Sequence, residues 1–353
     1  MSATAVARWM IYGANGYSGR LIAAEAVRRG MRPVLAGRGS AVAALADELG
    51  LEHRRFDLAD AAAVRAGLDG MTLVLHCAGP FSATCAPMLE GCLATAAHYL
   101  DITGEIGVFE HCHRQHERAC ARGILVLPGV GFDVVPTDCL AAQLKRELPD
   151  ASHLVLAFEA GGGPSPGTAK TSVEGLGMGG RARVGGNLVR VPLAWKSRTF
   201  TRDGQKRSAM TIPWGDVCTA FVSTGIPDIE VYMVVSPRTI TRLRRLRLFA
   251  PLLRLRLLQR WLQARVDRRV HGPSDAQRQR SFTHVWGEAR NACGGEARRH
   301  LQVPNGYTLT VDASLAIVDH LLQQPPPAGF HTPSQVMGAD FVMALAGVSE
   351  RFE

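Results

Sequence analysis

The 353-residue sequence is poor in lysine and aromatic residues and has no long apolar run. Four lysines stand against thirty-six arginines, and aromatic residues make up 6% of the chain. No uninterrupted apolar stretch approaches the ~20 residues that a membrane-spanning helix needs. No basic segment followed by an apolar one, as in a secretory signal, stands near the start. We therefore expect a cytoplasmic protein, and the 46% apolar content leaves room for two domains with a sizeable core.

The eight cysteines show no paired framework, so we expect reduced thiols. On one helix, Cys112, His116 and Cys120 would share a face at i, i+4 and i+8. Three such ligands could begin a zinc site, but a closed structural site needs a fourth ligand. We favour a half-buried helix at this place and predict no metal ion.

Three glycines at a spacing of three follow a short apolar run near the N-terminus. The run Trp9–Tyr12 leads into the glycines, and helix-forming residues continue from 21 to 29. A strand, a tight turn and a helix start place backbone N–H groups and a positive helix end against a phosphate. The residues predicted to bind a pyrophosphate are Gly13, Asn15, Gly16, Tyr17, Ser18 and Gly19.

A second apolar strand, residues 31–37, ends without the acidic residue that would bind the ribose hydroxyls of NAD. Arg38 stands there instead, with Ser40 beside it. A guanidinium at this point can stack on adenine and bind a 2′-phosphate, so the sequence predicts NADP(H). The alternative is a solvated surface arginine.

Strands and helices then alternate up to about residue 135. A third strand closes at Phe56–Leu58, a fourth spans 72–77, and helical stretches separate them from two more. This alternation predicts an α/β fold with a Rossmann doubly wound parallel sheet over 1–135. Strictly alternating segments further on, such as 153–159 and 228–235, predict a second α+β domain with a mostly antiparallel sheet over 136–303. We expect C-terminal helices over 304–353 to return to the first domain.

The chain resembles the saccharopine dehydrogenase-like oxidoreductases, in particular the branch of trans-acting enoyl reductases. The resemblance implies NADP(H)-dependent hydride transfer, but it does not name a substrate. The matching pieces are Tyr12–Arg20, Ala36–Arg38, Cys77–Phe81, His98–Glu105, Gly129–Asp138, Gly167–Lys170, Gly306–Thr310 and His331–Pro333.

Two further groups of residues complete the expected cofactor site. Asp57, at a third strand tip, could contact the adenine amine. The pieces Gly79, Pro80 and Phe81 and the pair Gly104 and Glu105 should frame the nicotinamide and its ribose.

No triad or carboxylate pair with diagnostic spacing marks a catalytic centre. Candidate acids or polarising groups are Tyr99, Asp101, Asp133 and Lys170. Structural alternatives stay open: Asp133 could cap a helix, Asp101 could fix a turn, and Lys170 could be a surface lysine. Because the cofactor carries the chemistry in hydride transfer, a sparse signature is expected.

The segment 237–270, called here the basic arm, holds eleven arginines and one acid. Its net charge of +10 exceeds the +9 of the whole chain. Apolar residues recur at helical spacing, and Pro251 should kink or split the helix. Such a segment suits an anionic membrane surface, an acyl carrier protein, a phosphorylated substrate, or only its own protein. We expect no nucleic-acid partner, because no stacking platform accompanies the charge.

Three functions remain open at this point. The first is reduction of a C=C bond in a lipid or polyketide-type acyl substrate, free or carrier-bound. The second is imine reduction by an amino-acid-type, saccharopine-like dehydrogenase. The third is a non-catalytic NADP-binding protein whose basic arm docks to membranes or partners. A homodimer is compatible with each of them.

Overall fold

A computed structural model describes residues 7–249 and 255–351. Its strands are β1 Trp9–Tyr12, β2 Val34–Gly37, β3 His53–Arg55, β4 Leu73–His76, β5 His98–Asp101, β6 Leu125–Leu127, β7 His153–Glu159, β8 Gly180–Val184, β9 Asn187–Val191, β10 Ser197–Arg202, β11 Gln205–Thr211, β12 Asp228–Val234, β13 Phe282–Arg290, β14 Glu296–Pro304, β15 Gly329–Phe330 and β16 Ser349–Glu350.

The described α-helices follow the same chain order. They are α1 Tyr17–Arg28, α2 Ala41–Leu49, α3 Ala61–Leu68, α4 Phe81–Thr95, α5 Ile106–Arg114, α6 His116–Arg122, α7 Val135–Glu147, α8 Pro166–Leu176, α9 Asp216–Thr224, α10 Pro237–Leu246, α11 Arg256–Arg269, α12 Asp275–Arg280, α13 Gly306–Gln323 and α14 Pro333–Met337. Short 3₁₀ turns span Arg247–Phe249 and Phe341–Ala344. None of the described helices is long and apolar enough to cross a membrane.

The chain divides into two compact units. Among the described residues, the first contains those up to Thr103 together with Gly107–Phe132 and Thr310–Thr332. The second contains Gly104–Ile106, the described part of Asp133–Leu309 and the described residues from Pro333 onward. We expected all of 304–353 to return to the first unit, whereas of these residues only 310–332 belong to it.

The sheet of the first unit is parallel throughout, in the order β15-β6-β5-β4-β1-β2-β3. Strands β1, β2 and β4 are buried along their whole length, as expected for strands covered on both faces. The chain reverses its direction of strand addition between β1 and β4. In such sheets, ligands bind outside the carboxyl ends of the strands at this switch point.

Two local details of the first unit differ from the sequence expectation. Strand β3 ends at Arg55, so Phe56–Leu58 lie after it, and the Asp57 carboxylate accepts a hydrogen bond from the N–H of Ala59 (3.0 Å). The single helix expected to carry Cys112, His116 and Cys120 breaks at Gln115. At this break His116 turns towards β15, and its Nδ1 accepts the N–H of Phe330 (3.1 Å).

The sheet of the second unit is mixed and has nine strands within the described residues. Its main path runs β10-β11-β12-β7-β13-β14-β16, and β8 and β9 branch from β12. Only the β7–β12 pair is parallel, which confirms the prediction of a mostly antiparallel sheet. Helix α7 packs on one face, where Gly287 leaves space for Leu140 and Leu144.

Helix α8 begins within a glycine- and proline-rich segment, residues 161–167. Ser165 caps it by accepting the N–H of Thr168 (3.3 Å), and Pro166 occupies its first turn. Lys170 therefore lies on a helix and is half-buried.

Candidate nucleotide-binding and acid sites

In the glycine turn, residues 13–19, backbone atoms approach Gly13 and Gly19 so closely that neither position has space for a side chain. Gly13 has a φ of +84°, and a Cβ there would lie 2.7 Å from the backbone N of Ala78. A Cβ on Gly19 would overlap the carbonyl oxygen of Gly13. The N–H groups of Gly13 and Ala14 both donate to the carbonyl of Ala36 (2.8 and 3.2 Å), which fixes the turn on β2.

The turn opens onto the N-terminus of α1. Gly16 is the N-cap residue, and the first turn of the helix contains no acidic side chain. The positive end of the helix dipole therefore has no carboxylate from its own first turn beside it, which suits an external phosphate. The side chain of Asn15 contacts Gly37, where a Cβ would lie 3.2 Å from Oδ1. The residues of this turn fit a dinucleotide pyrophosphate.

Arg38 is exposed directly after β2. Within the described residues it makes no hydrogen bond or ion pair. It lies near the Tyr12 hydroxyl, as Asp57 does. Burial, together with the Asp57 charge, raises the pKa of Tyr12 to about 12, and the Arg38 charge opposes the rise. This arrangement leaves the guanidinium available to a 2′-phosphate, and it places Asp57 close to the same strand tips. Ser40 is exposed just before α2.

A buried histidine that the sequence analysis did not select lies at the end of β4. His76 Nε2 is 3.0 Å from Thr84 Oγ1, and this hydroxyl donates to the carbonyl of Ala78 (2.6 Å). Nε2 must then carry the proton, which leaves Nδ1 as an acceptor that has no partner among the described residues. Burial lowers the pKa of His76 to about 3, so the ring is neutral.

His76 and Thr84 hold the segment Gly79–Phe81 at the carboxyl edge of the sheet. The Phe81 ring packs edge-on against the His76 ring, with centroids 5.4 Å apart. Pro80 precedes α4 after a cis peptide bond with Gly79. His76 is thus a positioning residue for a segment that we predicted to bind the cofactor. The signal in the sequence was a histidine closing an otherwise apolar strand.

Tyr99 and Asp101 are fully buried in the first unit. The Tyr99 hydroxyl donates to Asp101 Oδ2 (2.6 Å). The other carboxylate oxygen accepts the N–H groups of Thr103 (3.0 Å) and Gly129 (2.9 Å). This network joins the ends of β5 and β6, which favours the alternative that Asp101 fixes a turn.

The cysteine-rich stretch does not assemble as one cluster. The Cys112 sulfur lies 3.7 Å from that of Cys85, and both residues are buried near Asp101. Cys120 is exposed and contacts His116 on the other side of the helix break. The three residues considered for zinc are therefore divided between two environments, because α5 ends before His116 begins α6.

A carboxylic acid with a raised pKa begins the main segment of the second unit. Asp133 directly follows Phe132, the last residue of a first-unit segment. Its Oδ2 lies 3.0 Å from the position of a Cβ on Gly104, so only glycine fits there without movement. Burial, together with the charge of the neighbouring Glu105 carboxylate, raises the pKa of Asp133 to about 7. The residue as a whole is half-buried.

A second acid, Asp216, lies fully buried at the start of α9 and was not selected from the sequence. Neither carboxylate oxygen has a hydrogen-bond partner among the described residues. Burial raises its pKa well above the ordinary value, and the charges of Asp138 and Asp133 add to this. The Thr137 hydroxyl opposes the shift, but it donates to the Val134 carbonyl (3.0 Å). Burial therefore favours the protonated form of Asp216, whereas Asp138 accepts hydrogen bonds from Ser223 and the N–H of Ser334.

The nucleotide-binding geometry agrees with comparisons to known proteins. A family model described as the saccharopine dehydrogenase NADP binding domain matches residues 9–127. Over these residues the chain is similar to the NADP-binding domain of saccharopine dehydrogenases. The matched residues extend from β1 to the end of β6, and the match confirms the prediction of NADP as cofactor.

The sequence matches to curated relatives extend over only part of each relative's length. A saccharopine dehydrogenase-like oxidoreductase of Rattus norvegicus is 26% identical over 216 residues, which are 52% of this chain and 50% of the relative. A trans-acting enoyl reductase of Mycobacterium leprae is 32% identical over 151 residues, which are 39% of this chain and 35% of the relative. The chain thus spans about half or less of the length of these curated relatives.

A solved structure shows the same fold over nearly the whole chain. The apo form of saccharopine dehydrogenase (L-Glu forming) from Saccharomyces cerevisiae matches with a TM-score of 0.65, covering 98% of this chain and 100% of that one. Identity is 12%, so this likeness concerns the fold alone.

Proposed function

We propose that the protein is an NADPH-dependent reductase that acts on the C=C bond of an acyl substrate. The observation that carries the proposal is Asp133, an acid with a pKa near 7 that follows directly on the nucleotide-binding segments in the sequence. Reduction of an activated C=C bond requires a hydride at one carbon and a proton at its neighbour. A group that is half protonated at neutral pH is suited to give that proton.

NADPH, when bound, supplies the hydride from its nicotinamide ring. The glycine turn and the start of α1 would hold its pyrophosphate, and Arg38 its 2′-phosphate. Asp133 would hold the proton that the α-carbon of the acyl group requires. The carboxylate that remains would take up a proton from solvent. One hydride and one proton are thus added across each C=C bond.

The acyl substrate class is supported by the mycobacterial relative that is named as an enoyl reductase. An imine substrate needs a hydride and a proton as well, and Asp133 would serve it equally. The choice between the two classes is therefore a matter for direct measurement.

The test is oxidation of NADPH, followed at 340 nm, with two substrate panels. One panel contains α,β-unsaturated acyl thioesters of increasing chain length, and the other contains 2-keto acids paired with amines. The proposal expects turnover with the thioesters. Turnover confined to the keto acid and amine pairs would overturn the acyl assignment. Saturable NADPH binding without turnover in either panel would favour the non-catalytic alternative.

The role of Arg38 has its own test. In an Arg38→Ala variant, we expect NADPH affinity to fall about 10- to 100-fold, because a charge-assisted hydrogen bond is worth about 1.5–3 kcal/mol. NADH affinity should change little, and the matched control Arg65→Ala removes an equally exposed arginine from α3. Equal losses for the two cofactors would contradict recognition of the 2′-phosphate by this residue.

A further inference from the structure

The basic arm presents large apolar side chains to solvent. Of the nine large apolar side chains that are exposed within the described residues, five lie between positions 248 and 261. Leu248 and Leu257 are each 81% exposed, and Trp261 is 58% exposed. The other two are Phe249 and Leu255. Such a concentration on a soluble surface marks an interaction site rather than scattered exposure.

Helix α10 has an anchored face and a free face. Ile240 is buried, and Arg244 and Arg247 donate to the backbone carbonyls of Leu193 and Ala194. These three residues stand at i, i+4 and i+7, on one side of the helix. The opposite row consists of exposed arginines that line one shallow hollow and make no ion pair within the described chain, namely Arg238, Arg242 and Arg245.

Helix α11 is divided in the same way. Gln259 Nε2 donates to the carbonyl of Val173 on α8 (3.2 Å), and the neighbouring Leu262 is half-buried. Leu257 and Trp261, one turn apart, are exposed instead. The Arg265 guanidinium lies 5.7 Å from the centroid of the Trp261 ring. The outward face therefore combines aliphatic, indole and guanidinium groups.

We propose that the basic arm docks the protein on an anionic lipid surface. Exposed leucines and a tryptophan can enter the boundary between headgroups and acyl chains, while arginines meet lipid phosphates. Charge alone would suit an acidic carrier protein, but it gives no reason for this density of exposed apolar groups. A second copy of the chain is disfavoured, because two segments of net charge +10 repel each other.

The test is co-sedimentation of the full chain with large unilamellar vesicles. One set contains phosphatidylcholine alone, and the other contains phosphatidylcholine with 30% phosphatidylglycerol. We expect binding to the anionic vesicles that weakens as the salt concentration rises. Absence of binding to the anionic vesicles, or equal binding to both sets, would overturn the proposal.

Two variants of the basic arm and a matched control separate the contributions of charge and of apolar side chains to vesicle binding. The variant R238Q/R242Q/R245Q should lower the vesicle partition coefficient by about 100-fold, since each arginine near the surface contributes about 1 kcal/mol. L257S/W261S should also weaken binding, by at least about 10-fold, because it removes the side chains that enter the lipid. The control R28Q/R65Q/R114Q removes the same charge from exposed positions outside the arm and should bind as the parent does.

Trp261 provides a readout that does not depend on affinity. Its fluorescence, obtained as the difference between the parent and Trp261→Phe, should shift to the blue with anionic vesicles and be quenched by lipids brominated on the acyl chain. An unshifted difference spectrum in a vesicle-bound protein would contradict insertion. Binding of equal strength to an acidic protein such as an acyl carrier, insensitive to L257S/W261S, would assign the arm to a protein partner. None of these measurements uses turnover, so they stand or fall independently of the proposed reductase activity.

Discussion

Asp101 in the first unit and Asp216 in the second are both completely buried, yet their surroundings differ. Asp101 accepts a tyrosine hydroxyl and two backbone N–H groups. Asp216 has no hydrogen-bond partner among the described residues, and its pKa is raised well above the ordinary value. A buried carboxyl group can therefore act in two ways. Where hydrogen-bond donors surround it, the ionised group can join two strand ends, and where donors are absent, burial favours its protonated form.

Asp133 is the intermediate case, and its pKa of about 7 makes it responsive at neutral pH. Its neighbours on the described chain are a glycine that leaves it space and a glutamate that repels its charge. The comparison predicts that substitutions at the three aspartates produce three different phenotypes.

The largest effect is expected from Asp133→Asn. Asparagine has nearly the same shape but cannot give the proton, so turnover should fall about 10²- to 10⁴-fold. In the parent, turnover should decline as pH rises through about 7, because the raised pKa keeps the acid protonated only below that value. The measurement is kcat against pH, with exposed Asp150→Asn as control. A parent-like pH profile in Asp133→Asn would exclude Asp133 as the proton donor.

Asp101→Ala should reduce stability most. Three hydrogen bonds are lost, and two buried N–H groups lose their partner, so we expect a decrease of about 3 kcal/mol or more in the free energy of unfolding. Urea denaturation at pH 7 measures it. A loss below about 1 kcal/mol would show that water or another acceptor replaces the carboxylate.

Asp216→Asn should have an effect that changes with pH. The folded-state pKa of Asp216 lies above its unfolded value, so its contribution to stability is present at low pH and is lost as pH rises above about 4. The asparagine variant lacks this loss. The stability of the variant minus that of the parent should therefore increase between pH 5 and 8, as followed by urea denaturation. A difference independent of pH would show that Asp216 is ionised in the folded protein.

The smallest effect is expected from Tyr99→Phe, which removes one of the hydrogen bonds to Asp101. Because both backbone N–H bonds remain, unfolding free energy should fall by about 1 kcal/mol. NADPH turnover should be retained if Tyr99 serves the fold, whereas a large loss of kcat with little loss of stability would restore it as a catalytic candidate.

Much of the first unit could be predicted because its determinants are local. Short sequence patterns mark the glycine turn and the buried strands. A short pattern also marks the helix cap at Asp60, whose side chain accepts the N–H groups of Ala62 and Ala63. The parallel sheet followed from the alternation of strands and helices. The helix break at Gln115 was not predicted, because it accompanies a contact of His116 with Phe330, which lies more than two hundred positions away in the sequence.

The acid site of the second unit was harder to predict. Asp133 was a candidate from its position after a strand, and it stays a prediction as a catalytic residue. Asp216 carried no signal, because its raised pKa depends on burial and on the charges of residues about eighty positions earlier.

Helix α8 was missed because the glycines before Ser165 obscured its start. Whether a polar group is satisfied is a property of the folded neighbourhood, which single-sequence patterns do not contain.

The two faces of α10 have a consequence for how this helix tolerates change. Its inward guanidinium groups hold backbone carbonyls, so the attachment of the helix does not depend on the outward row. The outward arginines can consequently be exchanged for glutamates, or for neutral residues, without disturbing that attachment. Substitutions in this outward row, introduced by engineering or by evolution, can therefore change what the basic arm binds while the attachment of α10 is kept.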